Sequence, residues 1–360
     1  MDQTANDRKK KRQLLFKIIN IILVVALGAF LVYFYFRIGQ LNFSELKEIL
    51  LNMYKPTLVL ALAIMLLSNF FRAYRKNILV GSQRIGMGDM FLVAMIRNAF
   101  NMVLPARTGE LSYVYILTQR FQFPLEIGIS TLMVVLIFDL VIVFSLIIIS
   151  LIIVGVSTFA IPPISVAIIA IILLGISLLI LLYLSKIIDF ILMVYRKALE
   201  RFKVKEGKII YRIYKKLLDI NDNLKIIRGR KIYWKVYLSS IAIRVLKFTS
   251  YYLVIHAILS PLGYTFSELN FWVILLATVA AEISATLPTH AFAGFGTYEG
   301  AFALAAIPLG FVQGSEITVG FAYHIVVLVF TVILGIIAMI IINLPFYRIR
   351  KERLGENNQQ

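Results

Sequence analysis

The sequence predicts an all-α membrane protein that crosses the bilayer several times. Of its 360 residues, 60% are hydrophobic, and the mean hydropathy is +0.88. A soluble domain of this size cannot bury so much apolar surface. The apolar residues form runs of about 20 or more, the length that a helix needs to cross the hydrocarbon core. Basic residues collect near the ends of these runs, as the positive-inside rule describes.

The composition also excludes several classes of site. Without cysteine, the chain has no disulfide, no thiolate nucleophile and no cysteine-rich metal site. The three histidines, His256, His290 and His324, lack the spacing of a zinc motif. A net charge of +18 would suit a nucleic-acid partner, but the basic residues lie at span ends rather than along one binding face. We therefore expect no nucleic-acid partner, no metal and no cofactor.

Six apolar runs are predicted to span the membrane. They are 14–36, 57–80, 126–155, 163–185, 234–259 and 316–344. The first run follows a basic head at 8–12 but is longer than the apolar part of a signal peptide and lacks a small-residue cleavage site. We interpret it as a retained span.

The only long polar stretch is 186–233, between the fourth and fifth runs. Its apolar residues recur at spacings of three and four, which is typical of an amphipathic helix. They are Ile210, Ile213, Leu217, Ile220 and Leu224. Flanking lysines make this helix basic, so we expect it to lie in the cytoplasmic interface against anionic headgroups.

Two further apolar regions, 89–121 and 270–309, are interrupted by proline, glycine and charged residues. The residues at the two breaks are Pro105, Arg107, Gly109 and Glu110 in the first, and Pro288, Gly294, Gly296 and Glu299 in the second. Proline ends a helix, and charges at membrane depth are costly unless they line a cavity. We therefore predict that each region is a hairpin of two short helices.

The charges of the connecting segments predict the orientation. Segments placed inside are basic, the strongest being 186–235 with 15 Lys and Arg against 5 Asp and Glu. The others placed inside are the head, the loop 72–90 and the C-terminal tail; those placed outside are 37–56, 156–162, 260–269 and 310–316. On this map the two hairpins enter from opposite faces.

The same map predicts an inverted repeat within one integral membrane domain, 1–360. The segments 57–155 and 234–344 each have the order span, hairpin, span, and they run in opposite directions. Secondary transporters use this arrangement and bind their substrate near the midplane, where the broken helices meet.

Charged residues inside the apolar segments are candidate binding residues, because such charges almost always face the bundle interior. They are Arg97, Asp139, Arg244, Lys247 and Glu282. Arg244 and Lys247 are three residues apart and share a helix face. Structural ion pairs are the alternative, for example Asp139 with Arg97 or Glu282 with Arg244, and the sequence leaves these pairings open.

The acids after the two breaks, Glu110 and Glu299, allow two compatible interpretations. As first-turn residues after Thr108 and Thr297, they would cap their helices and favour the helix dipole. The free N–H groups of such a helix start, beside Arg107, would also form a site for a phosphate.

The weaker signals concern histidine and glycine. His290, in the second break, is the best candidate for a pH-dependent role. On apolar spans, His256 and His324 are predicted to be buried hydrogen-bonding residues rather than proton relays. Gly294-x-Gly296 follows no strand, so it predicts a tight chain reversal rather than a nucleotide loop.

Considered together, the P-x-R-x-G-E element at Pro105 and the G-x-G-x-x-E-G element at Gly294 make the chain resemble the lysylphosphatidylglycerol synthase transmembrane-region family. The resemblance covers about residues 10–345. It implies a flippase-like protein that moves a phospholipid or a glycosylated polyprenyl-type lipid between leaflets. On the resemblance, the motif residues are Pro105, Arg107, Gly109 and Glu110, and Gly294, Gly296 and Glu299.

The chain also departs from that family. Ala293 and Tyr298 stand where many members have Gly and Arg, which leaves the headgroup preference open. The soluble aminoacyl-transferring domain of the full synthases does not follow the last span. We therefore expect that this chain does not make lysyl-lipid by itself.

Three functions remain from different classes. The favoured one is a lipid flippase in which Arg107, with Arg97, Arg244 or Lys247, neutralises a phosphate. The alternatives are a membrane transferase acting on lipid phosphates, with Glu110, Glu282 or Glu299 as general base, and a non-enzymatic scaffold that docks a partner through 186–235. The expected partners are anionic or phosphate-bearing membrane lipids, with a possible homo-oligomer. The expected location is a prokaryotic cell membrane with both termini cytoplasmic.

Overall fold

A computed structural model of the chain describes residues 43–81, 85–104, 108–154, 163–201, 209–286, 292–307 and 315–344, together with Tyr33 and Arg37. Throughout these ranges the secondary structure is helical, without a β-strand. The predicted all-α class is confirmed.

Eleven α-helices lie within the described ranges. They are α1 (Phe43–Asn52), α2 (Lys55–Val80), α3 (Met87–Val103), α4 (Glu110–Phe121), α5 (Leu125–Val154), α6 (Pro163–Arg201), α7 (Ile209–Gly229), α8 (Tyr233–Leu259), α9 (Phe271–Ser284), α10 (Thr297–Ala306) and α11 (Glu316–Asn343). Two short 3-10 turns, Ser260–Leu262 and Phe292–Gly294, follow α8 and precede α10.

Five of the described helices are long and apolar enough to cross a membrane: α2, α5, α6, α8 and α11. They correspond to five of the six predicted spans, and the sixth, 14–36, lies outside the described residues except for Tyr33. The protein is therefore a multi-pass membrane protein. The helix α6 is 39 residues long and runs to Arg201 instead of ending near residue 185, so the predicted polar stretch begins as a continuation of this span.

Helices α2 and α8 pack against each other along most of their length. Three hydrogen bonds between them fix the direction: Tyr54 N–H to Ala257 O (2.8 Å), Ser68 Oγ–H to Ile243 O (3.3 Å) and Arg75 Nη1–H to Ser240 Oγ (2.6 Å). Residue numbers rise along α2 as they fall along α8, so the two helices are antiparallel.

The first interrupted region contains two helices, as predicted. Helix α3 follows the end of α2, and α4 ends beside the last residue of α11, where Arg120 donates to Asn343 Oδ1 (3.0 Å). Val80, Phe121 and Ile342 belong to one buried apolar cluster. The α3–α4 hairpin therefore begins and ends at the same end of the bundle, which we call the first end.

The second interrupted region also contains two helices, α9 and α10, at the opposite end of the bundle. Tyr252 near the end of α8 donates to Leu269 O just before α9 (3.3 Å). Ser315, which precedes α11, donates to Glu45 of α1 (2.9 Å). Most of α9 and α10 lies in the large apolar cluster that also holds α1 and the first half of α11.

The hairpins pack across the bundle. Helix α3 lies against α11, and α9 lies against α5. Gly335 of α11 lets α3 approach closely, since a Cβ at this position would lie 2.2 Å from the Cβ of Ala99. The 3-10 turn Phe292–Gly294, at the tip of the second hairpin, contacts α3. The second hairpin therefore reaches the first inside the bundle.

The predicted amphipathic helix is present as α7, but its apolar face has a different partner from the one we expected. Ile220 and Leu224 are buried in a cluster with α5 and α6, whereas Ile210 and Ile213 are exposed. The second half of this face covers protein rather than headgroups because α6 continues far enough to pack against it.

Charged contacts also hold α7. Lys216 Nζ donates to the carboxylate of Glu126 at the start of α5, and Lys225 Nζ donates to Asp189 Oδ1 on α6 (2.8 Å). Each hydrogen bond needs the protonated amine, so it raises the pKa of the lysine that donates it.

Candidate functional site

Helix α2 carries a cationic face inside the bundle. Arg72, Arg75 and Lys76 follow the i, i+3, i+4 spacing of one helix face. Only 2% of Arg75 and 1% of Lys76 is exposed. Treating these residues as part of a cytoplasmic loop at 72–90 is therefore wrong, because α2 remains helical to Val80 and turns them toward α4, α5 and α8.

Asp139 of α5 holds two of the buried cations. Its Oδ1 lies 2.5 Å from Arg75 Nη1, and its Oδ2 lies 3.2 Å from Arg244 Nη2. Ser240 of α8 accepts a further hydrogen bond from Arg75 (2.6 Å). Asp139 therefore joins α2, α5 and α8 at one point.

Glu282 of α9 continues this network to the second hairpin. Its Oε2 is 3.5 Å from Arg244 Nη1, and its Oε1 contacts Lys247 Nζ. The expected pairing of Glu282 with Arg244 is confirmed. Arg244 and Lys247 act as a pair because their spacing puts both on the face of α8 that meets α9.

Arg97 has a different partner from the one we expected. It donates to Glu110 across the first hairpin rather than to Asp139, and to the side chain of its neighbour Asn98. Asn101 also donates to Glu110 (2.6 Å). The pairing with Asp139 is wrong because α4 folds back on α3 and brings Glu110 to Arg97, while Arg75 and Arg244 already occupy Asp139.

Lys76 lies between the two networks. Its Nζ sits 3.7 Å from the centre of the Tyr113 ring on α4, a cation–π contact. Within the described part of the chain this Nζ has no hydrogen-bond partner. The charges of Arg97, Glu110 and Arg75 all act on Lys76. The contacts of the first hairpin and those of α5, α8 and α9 therefore form one charge network.

This charge network, as the described residues define it, contains more cations than acids. The cations are Arg72, Arg75, Lys76, Arg97, Arg244 and Lys247, and the acids are Glu110, Asp139 and Glu282. With all six basic groups protonated, the excess is three positive charges. Unbalanced charge inside a bundle is costly unless an anion or water compensates it.

Hydrogen bonding has the same imbalance. Five of the six cations have a buried N–H group without a partner among the described residues: Arg72 Nε, Arg75 Nε, Lys76 Nζ, Arg97 Nε and Arg244 Nε. Buried donors in native proteins are normally satisfied. The network therefore has both the charge and the free donors to accept an oxyanion.

The turn of the first hairpin depends on Gly109, which is the N-cap residue of α4. The predicted cap, Thr108, lies one residue too early, and the residue at the N-cap position, Gly109, has no side chain to cap the helix. A Cβ on Gly109 would lie 2.3 Å from Asn101 N and 2.4 Å from Phe100 C. Glu110 lies in the first turn, as predicted, but its carboxylate accepts hydrogen bonds from the side chains of Arg97 and Asn101.

We expect Gly109→Ala to destabilise the protein by about 1–3 kcal/mol, because the added methyl group would push α4 away from the backbone of α3. The control is Gly88→Ala on α3, where a Cβ meets no atom within 4 Å. That change should raise stability by up to ~1 kcal/mol. Melting temperatures in detergent measure both effects, and equal values for the two variants would contradict the tight turn.

The tip of the second hairpin places Glu299 at the start of α10. Its Oε2 accepts the Gly296 N–H (2.6 Å), so the predicted capping role is confirmed, with Gly296 rather than Thr297 as the N-cap residue. Its Oε1 lies 2.5 Å from His324 Nδ1 on α11. Gly294 and Gly296 have φ values of 79° and 87°, which explains the need for glycine in this chain reversal.

Of the remaining histidines and motif residues, some are described by the structure and some are not. His324 and His256 are buried and hydrogen-bonded, as predicted; the partner of His256 is Thr57 Oγ1, at 3.5 Å. Pro105, Arg107, Pro288 and His290 lie outside the described residues.

An open groove of about 880 Å³ adjoins the first hairpin at the first end of the bundle. Apolar side chains of α3, α4 and α11 form most of its wall, with a few polar groups. The polar lining residues are Thr108, Ser112, Gln119, Arg120 and Asn343. A groove with this lining can accept an acyl chain beside a polar headgroup.

Sequence reasoning missed the cations of α2 and the asparagines that support Arg97. Asn98 Nδ2 donates to Asn69 Oδ1 (2.5 Å), which links α2 to α3. The signal for Lys76 was its helical spacing from Arg72, since a polar face inside an apolar helix indicates contact with other helices. The asparagines carried no comparable signal.

Comparison with known proteins supports the family resemblance. No curated protein matches the chain. The family model described as the lysylphosphatidylglycerol synthase TM region matches residues 21–335, a range that includes both hairpins and all nine residues of the charge network. The chain therefore belongs to the lysylphosphatidylglycerol synthase transmembrane-region family.

Proposed function

We propose that this protein moves a lipid with an anionic, phosphate-bearing headgroup between membrane leaflets. The observation that carries the proposal is the cation excess of the charge network, together with five N–H groups that have no partner among the described residues. A phosphate supplies negative charge and several acceptor oxygens, and guanidinium groups bind it with charge-assisted hydrogen bonds.

The acids of the network support transport rather than catalysis. Glu110 accepts from Arg97 and Asn101, and Glu282 lies against Arg244 and Lys247. A general base must be available to take a proton from the substrate, and both carboxylates are already bound to buried cations. In our proposal these acids orient the cations, and the protein carries out no covalent chemistry.

The packing of the hairpins supports an inverted repeat. If 57–155 and 234–344 are related by a two-fold axis, contacts between them occur in equivalent pairs, so α9 should meet α5 where α3 meets α11. Both contacts are present, and α2 and α8, which the axis would exchange, pack against each other antiparallel. Rocking of one half against the other would then open the charge network to each leaflet in turn.

The apolar groove beside the first hairpin supports a lipid substrate over a free phosphate. Its wall reaches Thr108, two residues before Glu110, so a chain in the groove would hold its headgroup near the network. We propose a prokaryotic cell membrane as the location, with both termini and the groove at the cytoplasmic face.

The test is leaflet exchange in vesicles that contain the purified protein. We expect fluorescent phosphatidylglycerol to exchange faster than in empty vesicles, and labelled glucosylceramide, a lipid without phosphate, to exchange at the background rate. Vesicles with a labelled polyprenyl phosphate extend the comparison to the second lipid class. A background rate for every phosphate-bearing probe would overturn the proposal.

A further inference from the structure

We propose that Glu299 and His324 together bind one proton in each transport cycle and so couple lipid movement to a proton gradient. This inference rests on the lipid-moving function proposed above. The two residues join α10, the second limb of the second hairpin, to the long helix α11.

The pair is completely enclosed. The Glu299 side chain is 0% exposed and the His324 side chain is 1% exposed. Glu299 Oε1 lies 2.5 Å from His324 Nδ1. At this distance a hydrogen bond joins the carboxylate to the imidazole. The other carboxylate oxygen accepts the backbone N–H of Gly296 (2.6 Å). Each oxygen of Glu299 therefore has a partner within the protein.

Enclosure makes the charge of the pair depend on its access to water. A carboxylate with a neutral imidazole carries one negative charge, and binding one proton from water neutralises the pair. Burial disfavours the unbalanced form, whereas water stabilises it. When the pair is closed off from water it therefore retains the added proton, and when it opens to water it can release that proton.

The same carboxylate controls the conformation of the hairpin tip. Ala293, Gly294 and Gly296 all have positive φ values, of 53°, 79° and 87°, and for a residue with a Cβ such as Ala293 this conformation is strained. The Glu299 bond to the Gly296 N–H stabilises this turn. Because the turn contacts α3, a change at Glu299 can reach the helix that carries Arg97.

Three tyrosines connect the pair with the charge network. Tyr298 stacks on His324 with ring centres 4.3 Å apart, and its hydroxyl lies 3.0 Å from that of Tyr323. The Tyr323 ring is 5.2 Å from the ring of Tyr251 on α8, which lies 5.4 Å from Lys247 Nζ.

These tyrosines are the titratable groups that surround the pair on α8, α10 and α11. Among the described residues, the charges that act on Tyr251 are those of Glu282 on α9, Arg72 on α2 and Arg244 on α8, and Lys247 of α8 lies against its ring. On α1, Glu45 accepts a hydrogen bond from Ser315 at the start of α11. The charge of the pair can therefore influence the side of the network formed by α8 and α9.

The experiment imposes a pH gradient across vesicles that contain the protein and fluorescent phosphatidylglycerol, with the membrane potential clamped at zero. For one proton per lipid, a gradient of about one pH unit should give about a tenfold leaflet ratio at steady state. We expect this ratio for the wild type and for the control Glu48→Gln, which removes an exposed carboxylate on α1. For Glu299→Gln we expect a ratio near one, because Gln keeps an acceptor for Gly296 but does not titrate.

A wild-type leaflet ratio that does not change with the pH gradient overturns the coupling but not the proposed lipid movement. If no probe is exchanged at all, the proposed function itself is overturned. A second measurement applies if Glu299→Gln folds poorly or does not exchange lipid. In weakly buffered detergent, phosphatidylglycerol should change the number of protons bound to the wild type and to Glu48→Gln, but not to His324→Gln. Equal proton exchange by all three proteins would also overturn the inference.

Discussion

Lys76→Met should lower leaflet exchange of phosphatidylglycerol by about 10- to 100-fold while the protein remains folded. A hydrogen bond from a charged group contributes about 1.5–3 kcal/mol, and each 1.4 kcal/mol corresponds to a factor of ten. Lys76 Nζ has no hydrogen-bond partner among the described residues, so its substitution breaks no hydrogen bond between them. Methionine fills a similar volume over the Tyr113 ring.

The matched control for this change is Lys225→Met. Lys225 lies on α7, and its amine pairs with Asp189 on the protein surface. Its loss should leave the exchange rate unchanged, since its partner Asp189 does not belong to the charge network. Full exchange by Lys76→Met, or the same loss in both variants, would contradict the role of the buried cation.

Asp139→Asn should destabilise the protein by about 3–5 kcal/mol, because a buried ion pair that loses one partner leaves an uncompensated charge. Asp139 serves both Arg75 and Arg244, so removing its charge raises the cation excess of the network. The melting temperature in detergent and the denaturant midpoint measure this effect.

The control for Asp139→Asn is the same substitution at Asp189, whose side chain is 48% exposed in its pair with Lys225. Surface pairs contribute little, so that variant should melt close to the wild type. The double variant Asp139→Asn with Arg75→Met should recover part of the lost stability, because it removes one of the stranded cations. A double variant less stable than Asp139→Asn would contradict this assignment of charge.

The sequence predicted the spans well because hydrophobic length has a direct physical meaning in a bilayer. Helices α2, α5, α8 and α11 agree closely with the predicted ranges. The end of α6 was predicted too early, near 185, because polarity rises before helicity ends. For the same reason the predicted loop 72–90 begins at Arg72, inside the predicted span 57–80, although the helix continues to Val80.

The candidate site was only partly predictable. Arg97, Asp139, Arg244 and Glu282 could be singled out because a charge inside an apolar segment requires compensation. Their partners could not be assigned, since ion pairs form between residues far apart in sequence. Arg75 and Asp139, for example, are separated by 64 positions and meet only because α2 and α5 cross.

By itself the sequence determined that this chain is a helical multi-pass membrane protein with two interrupted segments and charges at depth, since hydropathy and helix breakers act locally. Only the tertiary structure decided that Lys76 and Arg75 face inward, that Glu110 pairs with Arg97, and that the second hairpin reaches α3. Those outcomes depend on how the helices pack against one another, because packing decides whether a cation lies on the surface or inside the bundle.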